Sequence, residues 1–181
     1  MRFVSILASV GFAALPYLTR ASPLLETRQE AAPSQFYLQT QVYPGIDDCG
    51  TNKDGLYVFS YHTGAGLGIA AAEADQLSSW FYLNDTNLLF TYEDNEIGPW
   101  PTEILYGPYQ AFNQISISIA DGPATPGFFV NGTGLQQNTT AAWLACDWWF
   151  TDPQIFAYNG YYSTPLPSSC SFVNLIPRAV A

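Results

Sequence analysis

Short runs of aromatic and β-branched residues, separated by Gly, Pro, Asn and Asp, fill the chain from Gln35 onward. This pattern is typical of strands joined by turns rather than of helices. Ile115–Ile119 alternates strictly between Ile and Ser, which predicts a strand with one buried and one solvated face. Only Leu67–Leu77 is ambiguous, because Ala70–Ala74 suits a short helix. The predicted strands are Phe36–Tyr43, Leu56–Tyr61, Trp80–Leu83, Leu88–Tyr92, Ile115–Ile119, Phe128–Val130, Trp143–Trp149, Gln154–Tyr158 and Ser171–Ile176.

A weak internal repeat suggests how these strands are arranged. Phe81–Leu88 reads FYLNDTNL, and Phe128–Leu135 reads FFVNGTGL, 47 residues further on. Phe36–Leu38 reads FYL and lies 45 residues before the first of these segments. Similar segments at near-equal spacing predict a repeated architecture. We therefore expect an all-β, compact single domain with a β-trefoil-like barrel, and keep a two-sheet β-sandwich as the alternative.

The first part of the chain predicts the compartment. Arg2 is followed by Phe3–Leu18, a run without charge, which has the order of a secretory signal peptide. We place this signal peptide at residues 1–21, a disordered polar stem at 22–34 and the all-β domain at 35–177. No second apolar run is long enough to cross a bilayer, so no membrane partner is expected. The prediction is a secreted protein that is released, or held outside the cell by something other than a membrane.

The charge balance limits the partners. The chain holds five Lys and Arg against fifteen Asp and Glu, and two of the five precede the predicted cleavage site. Nucleic acids and anionic membranes are bound through clusters of cationic side chains, so both are excluded as partners. Cell-wall polysaccharide and host or other extracellular proteins remain as candidate partners. The sequence carries no signal for the oligomeric state.

Secretion would expose the asparagines of this chain to N-glycosylation and its cysteines to disulfide formation. Three sequons, at Asn84, Asn131 and Asn138, predict N-glycosylation. Three cysteines allow three pairings, and an oxidising compartment predicts one disulfide. We favour Cys146 with Cys170, because closing a loop of that size contributes roughly 3 kcal/mol in the chain-entropy model. Cys49 is then left over, without a partner that the sequence identifies.

The segment Trp143–Trp149 is the densest aromatic feature of the chain. Strand alternation places Leu144, Cys146 and Trp148 on one face, which we expect to pack in the core. Trp143, Asp147 and Trp149 fall on the other face and form a candidate glycan contact, with two indoles beside a carboxylate. The alternative is a strand that is buried on both faces, with Asp147 capping a nearby turn.

No pattern in the sequence predicts a catalytic residue, a metal site or a cofactor. His62 is the only histidine and has no nucleophile motif beside it, so we interpret it as a turn residue. One histidine is too few for a site built on several of them. No spacing pairs two of the acids into a hydrolytic site, and we interpret them as surface residues. These acids are Glu73, Glu93, Asp94, Glu96, Glu103, Asp147 and Asp152.

Several longer stretches together resemble a known family. They are Gln35–Leu38, Gly55–Val58, Ser60–Leu67, Trp143–Trp149, Pro153–Phe156, Ser168–Cys170 and Val173–Pro177. The chain resembles a family of small secreted proteins of ascomycete fungi whose domain is uncharacterised, and is more loosely similar to fungal phialide cell-wall proteins. The resemblance implies secretion, an all-β domain and a cell-wall or extracellular setting, and it supplies no catalytic residues. Cys146 and Cys170 fall on the two cysteine positions of the family, whereas Cys49 departs from its pattern.

The sequence therefore predicts a secreted, N-glycosylated, non-catalytic protein of the fungal cell wall or extracellular space, with glycan contact as its candidate activity. Two alternatives stay open. One is an effector or surface antigen that acts through protein contacts. The other is a secreted glycoside hydrolase that uses a pair of carboxylates.

Overall fold

A computed structural model describes residues 32–45, 50–93, 98–119, 122–148, 151–160 and 165–180. The predicted signal peptide, most of the predicted stem, Cys49 and Trp149 lie outside these residues. The described part of the chain contains twelve strands and no helix, so the all-β prediction is confirmed. The strands are β1 (Phe36–Val42), β2 (Tyr57–Gly64), β3 (Leu67–Glu73), β4 (Ser79–Asn84), β5 (Asn87–Tyr92), β6 (Trp100–Leu105), β7 (Phe112–Ile117), β8 (Phe128–Asn131), β9 (Gly134–Gln137), β10 (Ala142–Cys146), β11 (Gln154–Tyr158) and β12 (Cys170–Ala179). None of the described segments has the helical length and apolarity that a bilayer crossing requires.

The ambiguous segment Leu67–Leu77 begins with strand β3 and not with a helix. β3 pairs with β2 along its whole length, from Tyr57 opposite Glu73 to the turn that precedes Leu67. Gly68 permits a close approach of neighbouring strands, because a Cβ there would lie 2.8 Å from the Ile117 carbonyl oxygen. The alanines of β3 are almost fully buried in this crowded position. Tertiary pairing therefore overrides the helical propensity of the alanine run.

The strands close into an antiparallel barrel. β1 pairs with β12 over seven residues and also contacts β2 and β4. From β4 the pairing continues through β5, β6 and β7, and it returns to β1 through β3 and β2. A ring of pairings of this kind has no free sheet edges along its course. The two-sheet sandwich therefore does not describe this molecule.

Three strands from different parts of the chain pair with one another and mark a threefold arrangement. Strands β3, β7 and β11 each pair with the other two, at Ile69 with Ser116, Gln154 with Ala71, and Phe156 with Gln114. Three strands can pair in this mutual way only when they surround a common axis. This arrangement agrees with the trefoil-like barrel that the repeat predicts.

Two of the three repeat segments are structural counterparts, and the third is not. The segments that begin at Phe81 and Phe128 form the hairpins β4–β5 and β8–β9, and both phenylalanines are buried. Phe36 is instead the direct antiparallel neighbour of Phe81, so it does not occupy an equivalent position. The prediction for this third segment is wrong. The sequence alone does not show that β1 and β12, at the two ends of the domain, pair along their lengths.

The interior consists of one large apolar cluster and one small one. The small cluster surrounds Cys146 and Cys170 and includes the buried Leu144. Trp143 and Ala145 of the same strand belong to the large cluster, so β10 is covered on both faces. The largest fully buried members of the large cluster are Phe36, Leu38, Phe81, Leu88, Phe90, Ile117, Phe128, Leu135, Ile155 and Val173.

Candidate functional site

Trp143 does not form the exposed platform that the sequence predicts. Its side chain is 3% exposed, and its ring stacks on Phe128 with the centroids 6.3 Å apart. Its Nε1–H donates to the Leu135 carbonyl oxygen at 2.7 Å. β11 and β12 flank β10, and the large cluster covers the face on which Trp143 lies. The expectation of exposure is therefore wrong, and Trp143 offers no ring face to a sugar.

Asp147 holds a loop in place. Its Oδ1 lies 3.0 Å from Nζ of Lys53, and its Oδ2 accepts the backbone N–H of Thr51 at 3.1 Å. The Thr51 hydroxyl donates to the same carboxylate, while the Lys53 ammonium also donates to the Thr51 carbonyl oxygen at 2.7 Å. The Lys53 side chain is fully buried. The alternative interpretation, a strand buried on both faces with Asp147 binding a nearby turn, describes this arrangement.

Opposing effects set the pKa of Asp147. Burial by itself would raise the pKa of the carboxyl group. The hydrogen bonds from Thr51 and Lys53, together with the Lys53 charge, outweigh burial and hold the pKa below its usual value. The carboxylate is therefore ionised at neutral pH and remains engaged with the loop.

The disulfide between Cys146 and Cys170 is present, as predicted. It joins directly opposed residues of β10 and β12, which are 24 positions apart in the sequence. Beside it lies a pocket of about 180 Å³, lined mainly by aromatic residues and the disulfide. Trp148 borders this pocket and is 47% exposed, so the accessible indole of this region lies on the face that we expected to be core.

The three sequon asparagines lie at or just beyond the ends of strands. Asn84 ends β4 and Asn138 follows β9, and both are exposed. Asn131 ends β8 and is half-buried, and its Oδ1 accepts the backbone N–H of Thr133 at 2.9 Å. Glycan attachment at these positions stays a prediction.

The fold brings together two acids that the sequence does not pair. Glu73 ends β3, and Asp152 lies two residues before β11. The chain segments touch at this point, since the Ala72 N–H donates to the Pro153 carbonyl oxygen at 2.9 Å. Burial and, secondly, the charge of Glu73 raise the pKa of Asp152.

His62 is exposed on β2. Within the described ranges, no three potential metal-ligating side chains cluster.

A different surface carries accessible aromatic residues beside polar ones. We call it the β4–β5 groove, and its cavity volume is about 530 Å³. It lies where the beginning of β4, the end of β5 and the residues just before β1 meet. The residues that line it are Ser34, Gln35, Trp80, Tyr82, Thr91, Tyr92 and Glu93.

Strand alternation explains how the groove forms. On β4, Phe81 packs in the core with 1% exposure, so its neighbours Trp80 and Tyr82 point away from it and are half-buried. Thr91 of β5 lies directly opposite Trp80 in the register of the two strands. The contact between Phe36 of β1 and Phe81 brings the residues that precede β1 to the same end of the barrel.

The groove combines an apolar platform with hydrogen-bonding groups. Aromatic rings offer flat apolar area, and the side chains of Gln35, Thr91 and Glu93 offer oxygen acceptors. The arrangement suits a ligand with flat apolar faces and many hydroxyl oxygens.

The groove was not predicted from the sequence. Trp80–Leu83 was predicted as a strand and Phe81–Leu88 belonged to the repeat, but the residues on the outer face of this strand were not identified as a site. The signal was the alternation at Trp80, Phe81 and Tyr82, in which a buried phenylalanine predicts two outward aromatic rings.

Fold and site together define a small all-β barrel domain with one described disulfide and an aromatic-lined surface groove. The chain belongs to the family described as "Domain of unknown function (DUF7907)", whose model matches residues 33–179. No curated protein and no solved structure matches the chain. The resemblance to an uncharacterised domain family is thereby confirmed, and the relation to secreted fungal and phialide proteins stays a prediction.

Proposed function

We propose that this chain is a secreted, N-glycosylated, non-catalytic protein of the fungal cell wall or extracellular space, and that it binds glycans in the β4–β5 groove. The observation that carries the proposal is the presence of Trp80 and Tyr82 beside hydrogen-bonding side chains in one open cavity. Clefts that combine an aromatic lining with a few polar groups are the usual form of ligand sites.

The proposal of an extracellular setting has two supports. The disulfide between Cys146 and Cys170 is typical of proteins that fold in oxidising compartments. The apolar run Phe3–Leu18 behind Arg2 has the composition of a secretory leader.

The surplus of acids over cations is compatible with a polysaccharide partner and unfavourable for nucleic acids.

The groove fits the surface chemistry of a sugar ring. One face of a pyranose exposes C–H groups, which can pack on the ring of Trp80 or Tyr82. The ring hydroxyls can donate to the oxygens of Gln35, Thr91 and Glu93 at the border of the groove. Packing supplies affinity in this arrangement, and the polar groups supply orientation.

Polysaccharide binding by matched variants tests the proposal. The full chain is produced in a secretory host, and its retention on insoluble and immobilised polysaccharides is measured. We expect Trp80→Ala and Tyr82→Ala to weaken retention at least about tenfold, which corresponds to about 1.4 kcal/mol. The controls are Trp148→Ala and Tyr109→Ala, which remove exposed aromatic rings outside the groove. Unchanged retention in both groove variants, with their fold intact by circular dichroism, would refute the glycan site.

The juxtaposition of Glu73 and Asp152 favours a second candidate function, a carboxylate-dependent glycoside hydrolase. A carboxyl group whose pKa is raised by burial and by a neighbouring acid is suited to donate a proton to a leaving group. The same polysaccharides are therefore assayed for released reducing ends. Release that Asp152→Asn abolishes would establish the hydrolase, and retention without release would favour the binding protein.

A further inference from the structure

We propose that the ligand of the β4–β5 groove is a polymer of amino sugars that carry protonated amines. This inference rests on the proposed glycan-binding function and specifies its ligand class. It depends on the charge of the groove, on the distribution of cations over the described surface and on the chemistry of the aromatic rings.

The groove is negatively charged. Among the described residues that line it, Glu93 is the only one with a formal charge, and its side chain is exposed. A cationic group on a bound sugar would find an opposite charge here, whereas an acidic polysaccharide would be repelled.

The cations in the described part of the chain are engaged elsewhere. Lys53 is fully buried and pairs with Asp147. Arg178 of β12 donates from its Nε to Gln39 at 2.9 Å and does not line the groove. The whole chain has a formal net charge of −10, so its long-range field attracts cationic polymers.

The aromatic rings can bind both parts of an amino sugar. The negative face of a Trp or Tyr ring attracts an ammonium group within about 6 Å, in addition to its packing against the C–H face of a pyranose. Trp80 and Tyr82 supply two such rings in the cavity, whereas the Tyr92 ring packs on Phe90 and Trp100. A neutral glucan would use only the packing and the hydroxyl contacts. An amino-sugar polymer also uses the Glu93 carboxylate and the cation–π attraction.

Calorimetry with matched oligosaccharides tests the inference. The probes are glucosamine oligomers, N-acetylglucosamine oligomers of the same length and linkage, and β-linked glucose oligomers. Binding is measured at mildly acidic pH, where the amines are protonated, and at low and high salt. We expect the glucosamine oligomers to bind wild-type protein at least about tenfold more tightly than the acetylated oligomers, with a difference that shrinks in high salt.

Three variants test which residue causes the preference for the free amine. Glu93→Gln should remove the preference for the free amine, because glutamine keeps an oxygen acceptor for the sugar hydroxyls and carries no charge. Glu103→Gln removes an acid outside the groove and should preserve the preference. Trp80→Ala should weaken binding of every oligomer.

Each contrary result has a distinct meaning. Equal binding of aminated and acetylated oligomers, with both still weakened by Trp80→Ala, would overturn the amino-sugar inference and leave the glycan function intact. An equal loss of preference in Glu93→Gln and Glu103→Gln would also overturn it, because the attraction would then belong to the overall charge. Absence of binding to any oligosaccharide would overturn the glycan function as well.

Discussion

Replacing Asp147 by Asn should destabilise the protein strongly, although the side chain keeps its size. Oδ1 of Asp147 lies 3.0 Å from the ammonium of Lys53, whose side chain has no solvent exposure. An asparagine can still accept a hydrogen bond from the Thr51 backbone through its remaining oxygen. It carries no charge, so the buried ammonium loses the attraction of the Asp147 carboxylate.

The expected loss of unfolding free energy depends on how deeply Lys53 and Asp147 are buried. Removing one partner of a fully buried ion pair costs about 3–5 kcal/mol, because the remaining charge loses the attraction of that partner. The Asp147 side chain is 28% exposed, so water weakens the interaction on that side. We therefore expect a loss of about 2–3 kcal/mol in the free energy of unfolding.

Urea unfolding of the oxidised protein at neutral pH, followed by tryptophan fluorescence, measures this loss. The matched control is Asp75→Asn on an exposed turn, which should change stability by less than about 0.5 kcal/mol. The double variant Lys53→Met/Asp147→Asn should be more stable than the sum of the two single effects predicts, by about 1 kcal/mol or more.

The difference in stability between wild type and Asp147→Asn should depend on pH. Because the pKa of Asp147 is lowered in the folded state, its ionised form stabilises the fold above the pKa of an unfolded aspartate, about 3.9. This stabilisation is lost as the pH falls through the lower folded-state pKa. The difference between wild type and Asp147→Asn should therefore shrink in acid. Equal stability of the two proteins at neutral pH would refute the assignment of Asp147 as the anchor of the loop.

Three further substitutions and one reduction test other parts of the structure. Reducing the disulfide should lower the free energy of unfolding by about 3 kcal/mol, since the bond closes a span of 24 residues, and denaturation with and without reductant measures this. Trp143→Phe should lower the free energy of unfolding by about 2 kcal/mol and leave polysaccharide retention unchanged. Reduced retention by a folded variant would show that Trp143 takes part in binding. Gly134→Ala should cost about 2 kcal/mol, because φ is +115° and the new Cβ would lie 2.5 Å from the Leu175 carbonyl oxygen, whereas Gly132→Ala meets open space and serves as control. Asp152→Asn should stabilise the protein at neutral pH and not in acid, because a raised folded-state pKa means that ionisation opposes folding; an equal effect at both pH values would contradict this.

Much of the local structure could be predicted because its causes are local. Alternation at Ile115 and aromatic runs bounded by turn residues predicted strands that are present, although β7 begins earlier, at Phe112. Strand β6 was not predicted, and it contains Pro101, a residue that is uncommon within strands. Pro101 lies opposite Leu89 in the short pairing with β5 and precedes the ladder with β7, which begins at Thr102.

The candidate site was less predictable, because exposure depends on several strands at once. Alternation correctly placed Trp143 and Cys146 on opposite faces of β10, but it could not show that both faces are covered. The same limitation hid Trp80 and Tyr82, which line a groove only because the residues before β1 lie at that end of the barrel.

The sequence by itself determined the strand character of the domain, the favoured disulfide and the likeness of the segments that begin at Phe81 and Phe128. These features depend on residue type and short spacing, which act over a few neighbouring positions. Only the tertiary structure decided that β3 is a strand, that Asp147 neutralises a buried lysine and that the accessible aromatic groove lies on β4 and β5. The physical reason is that burial and charge pairing are set by segments far apart in the chain, which meet only when the barrel closes.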